Sequence, residues 1–385
     1  MGIMQWLAVM DGRESVGWYG GMLVLECMPL AVSIVLFARH RMRQKATFGE
    51  AYVRAVPSQD HPAVLGELYR GYECHNDDMV AAIMRLVAAG TIRLDVIERP
   101  AVALLGKGAC KQDYQLTRIA EVENCPSSNA SLRASNSIDR ATMAFLFDTV
   151  ARCGDPCGFV GSSGDGDRVV LSDLQRVATE FPYEYLDACK RWRSCISDAL
   201  DACGYVSNSM DACGRVVLGS AILYGVMTVV VLLACVQDSY MLALLGFFLN
   251  LLASIACGFI CCFMKPVSQE GVELRAKLQA LRSWLKDFSR LDEAVSTNAT
   301  YWSKLLVTSV ALGVADDVVK QLGVVAPTVL RAPLLAPCLW DGTSKRGTSY
   351  TREMGQIIGG AYTKAHNVVD RSHGRNQVVV HRKAF

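Results

Sequence analysis

The chain has 385 residues, a mass of 42.0 kDa and a net charge of +2, from 39 Lys+Arg against 37 Asp+Glu. Hydrophobic residues make up 51% and charged residues only 20%, with mean hydropathy +0.23, whereas soluble domains carry about 25% charge. These values exclude a disordered tail protein, a small disulfide scaffold and a globally basic nucleic-acid binder, and they point to an α-helical integral membrane protein.

Residues 1–17 read as a short external N-terminus. The first apolar block covers 18–38, and its 21 residues match the ~20 that a helix needs to cross the hydrocarbon layer. Trp18 and Tyr19 mark one interface, and the basic cluster Arg39, His40, Arg41, Arg43, Lys45 marks the other. A cleavable signal peptide carries its charges before the apolar run, so this block is read as an anchor. Blocks at 216–236 and 240–264 are separated by Gln237, Asp238 and Ser239 alone, which predicts a transmembrane hairpin. Lys and Arg crowd the flanks of 39–53, 201–215 and 265–279, so the N-terminus is expected outside and the two large polar segments in the cytosol. The fifteen cysteines fall in apolar or cytosolic stretches, consistent with reduced thiols.

Residues 39–125 read as a winged-helix-like cytosolic unit. Pro62 opens a helix, and Asn76 caps a second one with Asp77 and Asp78 in its first turn. Val80, Ile83, Met84 and Val87 form an apolar face, and Gly90 ends the helix. Alternation over 91–96 predicts a strand, followed by a Gly/Lys wing (Gly106, Lys107, Gly108, Lys111) and a strand over 114–117. The second helix offers a DNA groove only Arg85 and two carboxylates, so a structural or protein-docking role is favoured and nucleic acid is not expected as a partner.

Residues 138–215 read as a helical cytosolic unit. It holds a helix near 138–152, a capping box at Ser172 and Gln175, and a long helix over 182–203 stopped by Gly204. Within 265–325, Leu274, Leu278, Leu281, Leu285 and Phe288 make an amphipathic seam, facing either another helix or the inner leaflet. The apolar stretch 301–319 is too short to span and reads as a buried or interfacial helix. Residues 326–385, Pro-broken and then basic, read as an irregular, disordered tail.

The segments P-A-V-L-G-E-L (62–68), M-V-A-A-I-M-R-L-V-A-A-G-T-I-R-L (79–94), D-A-C-G-Y (201–205), G-V-E-L-R-A-K-L-Q-A-L-R-S-W-L-K-D-F (271–288) and Y-W-S-K-L-L-V-T-S-V-A-L-G-V-A (301–315) together resemble the YciQ-like family of predicted bacterial membrane proteins, a domain of unknown function. The resemblance covers about residues 20–325. It implies an anchor helix, a cytosolic unit, a membrane hairpin and a cytosolic end, with no chemistry attached. Family members usually begin with a signal sequence and an external β-rich domain, which is not expected here.

Candidate chemistry is sparse. Glu26 sits within the first block, where an ionisable group is a candidate relay, and Pro29 beside it is expected to kink the helix. Gly246, Asn250, Ser254 and Gly258 form a small and polar stripe, matched by Ala221, Gly225 and Thr228. Cys153 and Cys157 lack a second pair for zinc, and Asp165 and Asp167 lack the later ligands of a calcium loop. No phosphate-binding, zinc-protease or nucleophile-elbow motif occurs. The expectation is therefore a non-enzymatic polytopic plasma-membrane protein with no catalytic, cofactor or metal residues. Its partners would be the lipid bilayer, further copies of itself or other membrane and cytosolic proteins. A subunit of an oligomeric channel or transporter, with Glu26 and Asn250 facing the path, is the alternative, followed by a membrane-tethered transcription regulator.

Overall fold

The computed structural model describes residues 28–39, 45–100, 110–122, 130–154, 167–206, 212–235, 248, 251–260, 267–291, 296, 298–330 and 350–383. In chain order the elements are α1 (28–39), α2 (Pro62–Tyr69), α3 (Asn76–Ala88), β1 (Ile92–Pro100), β2 (Cys110–Arg118), α4 (Ala130–Met143), β3 (Arg168–Val170), α5 (Asp173–Glu180), α6 (Pro182–Ala202), α7 (Ala212–Cys235), α8 (251–260), α9 (Gln269–Asp287), α10 (Ala299–Ala311), α11 (Ala315–Val325) and α12 (Tyr350–Lys383). The chain divides into two units, one of Met1–Thr47 with Val206–Val272, the other of Phe48–Tyr205 with Glu273–Phe385.

In the second unit, β1, β2 and β3 form an antiparallel sheet in that order. The register from Ile92↔Arg118 to Pro100↔Cys110 puts Leu94 opposite Leu116, and Val169 of β3 opposite Leu116 as well. Ile92, Leu94, Tyr114, Leu116 and Val169 are buried, so one sheet face joins the core. α2 packs on α3, and α10 packs on both. Gly90, at φ +75°, ends the α3 turn in the left-handed conformation that glycine adopts without strain.

α4 changes pitch over Ala144–Val150, a π-helical segment, before a last turn at Ala151–Gly154. A regular helix spreads three consecutive residues over about 200°. The wider turn lets Phe145, Leu146, Phe147 and Val150 all be buried, with Phe145 edge-on to Tyr185 of α6. A second aromatic cluster joins α9 to α10: Trp284, Phe288 and Trp302 have centroids 5.3–6.3 Å apart, and Trp302 is fully buried. The leucine seam of α9 (Leu274, Leu278, Leu281, Leu285) is likewise buried within this unit, against protein rather than lipid.

Several expectations are corrected. Among the described residues no helix is long and apolar enough to cross a membrane, so the three transmembrane helices expected at 18–38, 216–236 and 240–264 are not supported. The irregular tail expected over 326–385 instead holds the 34-residue α12. Its basic composition hid a stripe of Met354, Ile358, Ala361 and Ala365, all buried. The stretch expected as one helix over 301–319 breaks at Gly313, φ +67°, into α10 and α11. The capping box at Ser172 does not form; Gln175 accepts from Lys364 Nζ at 2.8 Å instead. The cap of α3 is His75 rather than Asn76.

Gly66 on α2 marks the tightest approach in the second unit. A methyl there would overlap the Asp78 carboxylate, meet the Arg70 guanidinium at 2.8 Å and sit 3.1 Å from the Ala311 carbonyl oxygen. Gly66→Ala is expected to destabilise the protein by about 1–3 kcal/mol, read as a lower urea or thermal midpoint. Gly49→Ala has open space around it and serves as the near-neutral control.

Candidate functional site

The polar centre of the second unit lies where α2, α3 and α10 converge. Asp78, fully buried, pairs with the guanidinium of Arg70, and its other oxygen accepts the His75 backbone N–H at 2.7 Å. Arg70 Nη1 donates to the Ala311 carbonyl at 2.6 Å. Burial raises the Asp78 carboxyl to about 6, against the pull of Arg70. Next to it, Glu67 is 7% exposed and its Oε2 has no hydrogen-bond partner. Burial first, and then the charge on Asp78, push Glu67 up to about 7.

A second network ties α2 to α3 and α4. His61 caps α2: its Nδ1 accepts from the Ala63 N–H at 3.1 Å, which leaves the proton on Nε2, 3.2 Å from Asp139 Oδ1. Arg85 Nε reaches both Asp139 oxygens at 3.1 and 3.2 Å. Burial lowers the pKa of His61, outweighing Asp139. For Asp139 burial works the other way, but the bonds from His61 and Arg85 hold its carboxyl below the usual range. With both ring nitrogens engaged, His61 keeps none to accept a substrate proton. Asp60 alongside accepts from the Tyr205 hydroxyl and from Ser58. A cavity of about 420 Å³ opens here, lined by Asp60, Arg85, Tyr301 and Lys304, in which charges of both signs face one space.

The buried thiols are not poised as nucleophiles. Burial raises Cys74 and Cys189 to about 12, so both are protonated at neutral pH. Among the described residues, no three His, Cys, Asp or Glu side chains gather as a metal ion would require.

The first unit has the opposite distribution of polarity. Ser33 of α1 is fully buried, 2.9 Å from the Ser220 hydroxyl of α7 and 3.8 Å from Cys257 Sγ of α8. Tyr224 Oη accepts the Leu30 N–H at 3.2 Å, and Ser254 Oγ donates to the Ala221 carbonyl at 3.2 Å. Outward stand Val35, Ile222, Val226, Leu252 and Phe259, each more than half exposed. Hydroxyls and a thiol are inside, and branched and aromatic hydrocarbon is outside.

Of the residues singled out by sequence, Ser254 does meet Ala221, and its hydroxyl stands 3.9 Å from where a Cβ on Gly225 would be. Glu26, Gly246, Asn250, Cys157, Asp165 and the wing residues Gly106, Lys107 and Gly108 lie outside the described residues. Asp77 and Asp78 do occupy the first turn of α3, but Asp78 turns inward and Arg85 is held by Asp139. The helix in the recognition position is largely core: Met79, Val80, Ala81, Ala82, Ile83, Met84 and Leu86 are all buried, under α2, α10 and α12. Glu67 and Asp139 were missed by sequence reasoning. Each is an acid at a position that helical periodicity turns inward, which is the signal that could have found them.

Such a pairing, a helix-rich polar domain and a helical cluster with an apolar exterior, defines a class of membrane-associated helical proteins. Residues 49–322, more than half of the chain, match the family described as predicted membrane protein (DUF2207) C-terminal domain, and the chain belongs to that family. The family is one of predicted membrane proteins of unknown function, and a membrane location follows at that level. No curated protein and no solved structure matches the chain.

Asp139→Asn removes the charge that both His61 and Arg85 address. An expected loss of about 2–3 kcal/mol follows from leaving two donors inside without a full partner. Because the Asp139 carboxyl is held low, its stabilisation is complete above the unfolded-state carboxyl range and is lost only as pH falls below it. Urea titrations at neutral pH and in acid should show the wild-type advantage over D139N vanish in acid.

Proposed function

We propose that this chain is a non-enzymatic membrane protein whose second unit is a cytosolic module for assembly or partner docking. The inverted side-chain distribution of α1, α7 and α8 carries the reading. In water, exposed Ile222, Val226, Leu252 and Phe259 would cost about 25 cal/mol for each Å² of apolar surface left wet, and against hydrocarbon they cost nothing. Inward hydroxyls and small residues are what helices use to associate where no hydrophobic force drives them together. The basic flanks at 39–53 and 265–279 support a cytosolic position for the polar residues.

The burial of α3 favours docking over DNA reading, since a helix covered on most of its sides has no face to place in a groove. Lipid, further copies of the chain and other membrane or cytosolic proteins are its partners on this reading. The channel-subunit alternative has no described residue to argue from, since Glu26 and Asn250 both lie outside the description.

Alkaline carbonate washing of native membranes tests the anchor. The protein is expected to stay in the pellet, and the double variant Ile222→Lys, Phe259→Lys to shift into the supernatant. Wild-type protein found in the supernatant would end the reading. Digestion of a tag after Phe385 by protease added to right-side-out vesicles would overturn the cytosolic placement.

A further inference from the structure

α12 lies outside the matched residues 49–322 and rests on α3, α5 and α6. One stripe faces inward, with Met354, Ile358, Ala361 and Ala365 buried. Gly359 approaches α3 so closely that a methyl there would overlap the Asn76 carboxamide. At the middle of this seat stands one cation. The Arg193 guanidinium of α6 stacks over the Tyr362 ring at 4.4 Å, and its Nη1 donates to the Tyr362 hydroxyl at 3.1 Å.

Arg193 answers to a second group. It lies within electrostatic reach of Glu67, the buried acid on α2 whose Oε2 has no hydrogen-bond partner. An ionised carboxylate with an unfilled acceptor, inside the protein, gains by drawing a neighbouring cation toward it. Arg70 cannot serve, because Asp78 and the Ala311 carbonyl already hold it. Arg193 can, but only by loosening its hold on Tyr362. A protonated Glu67 exerts no such pull. We propose that Glu67 and Arg193 form a proton-operated clasp that sets how firmly the C-terminal helix α12 is seated on α3, α5 and α6.

The groups around the clasp fix its sign. Glu67 faces Asp78 from α3, Arg70 from the end of α2 and Arg193 from α6. Arg193 faces Tyr362 from α12, Cys74 from the α2–α3 connection and Cys189 from its own helix. Burial and then Asp78 bring Glu67 to about 7. It is therefore neutral in mild acid and ionised in mild base. A raised acid makes the folded state bind more protons than the unfolded one, so the seated form is favoured as pH falls. The clasp closes in acid and slackens in base. His366 is exposed on α12 and pairs with Asp370 of the same helix at 3.6 Å, away from the clasp, so it serves as the control.

Hydrogen exchange of the full-length, membrane-extracted protein reads the seating directly, as protection factors for amides of 350–372 corrected for intrinsic rate. Wild type is expected to show about tenfold higher protection near pH 5.5 than near pH 8, the change produced by about one unit of difference in the Glu67 pKa between the seated and slack forms. Glu67→Gln should be protected at both values and Arg193→Met at neither, while His366→Asn keeps the wild-type response. Equal protection of wild type at the two values overturns the clasp, as does a full pH response in Glu67→Gln or its loss in His366→Asn. If Glu67→Gln does not fold, Arg193→Met carries the decision, since a pH response retained there also overturns it.

Discussion

One buried ion pair organises the second unit. Asp78 sits in the first turn of α3, where the helix dipole and the His75 N–H favour its charge. Burial opposes that charge strongly enough to bring the carboxyl to about 6. What holds the balance is Arg70, whose guanidinium also satisfies the Ala311 carbonyl at the C-terminal end of α10. A single arginine thus joins the start of one helix, the end of a second and the end of a third. Such a pair adds little net stability compared with a well-packed apolar alternative, but removing one partner leaves a charge stranded in the core. Gly66 is a consequence of it, because α2 can approach the pair only where no side chain intervenes.

Local elements were legible because their signals are local. The α3 apolar face, the Gly90 stop, the strand alternation and the α6 face with Tyr185, Cys189, Trp192, Ile196 and Leu200 depend on spacing alone, and all are in place. Two things were not legible. α12 was read as a disordered tail because its buried stripe is built from small residues and two medium ones, so hydropathy averaged over its charges gives no peak. The polar centre was hidden because Glu67, Asp78 and Asp139 look like ordinary surface acids. Asp139 differs through partners 54 and 78 residues away, Arg85 and His61, and Asp78 through Arg70, which also reaches the Ala311 carbonyl 241 residues on. The membrane blocks failed for another reason. Their composition is apolar over each block, but among the described residues no helix is both long and apolar enough to cross a membrane.

The two units obey opposite rules of burial. In the second, apolar side chains go in and most of the polar ones that follow are matched by hydrogen bonds, with atoms of Glu67, Thr117, Arg118, Tyr185 and Trp284 the exceptions among the described residues. In the first, Ser33, Ser220 and Cys257 go in and the hydrocarbon goes out. Water favours the first pattern, whereas a hydrocarbon medium would offer exposed apolar groups no penalty to escape. A family of predicted membrane proteins is where such a pairing of rules is expected.

The helix order and antiparallel β1 and β2 of residues 62–118 resemble a DNA-binding arrangement, but α3 is not exposed as a reading helix would be. A reading helix must keep one face for the groove, with donors arrayed along it. α3 has instead sunk its first-turn aspartate into an ion pair and committed its arginine to Asp139, and α10 and α12 cover what is left. Each of these changes removes a feature that DNA binding requires and adds one that packing requires. Shared topology therefore carries no function here. The features that the helix order of 62–118 does not specify lie elsewhere, in the exposed apolar side chains of the first unit and the buried seat of α12.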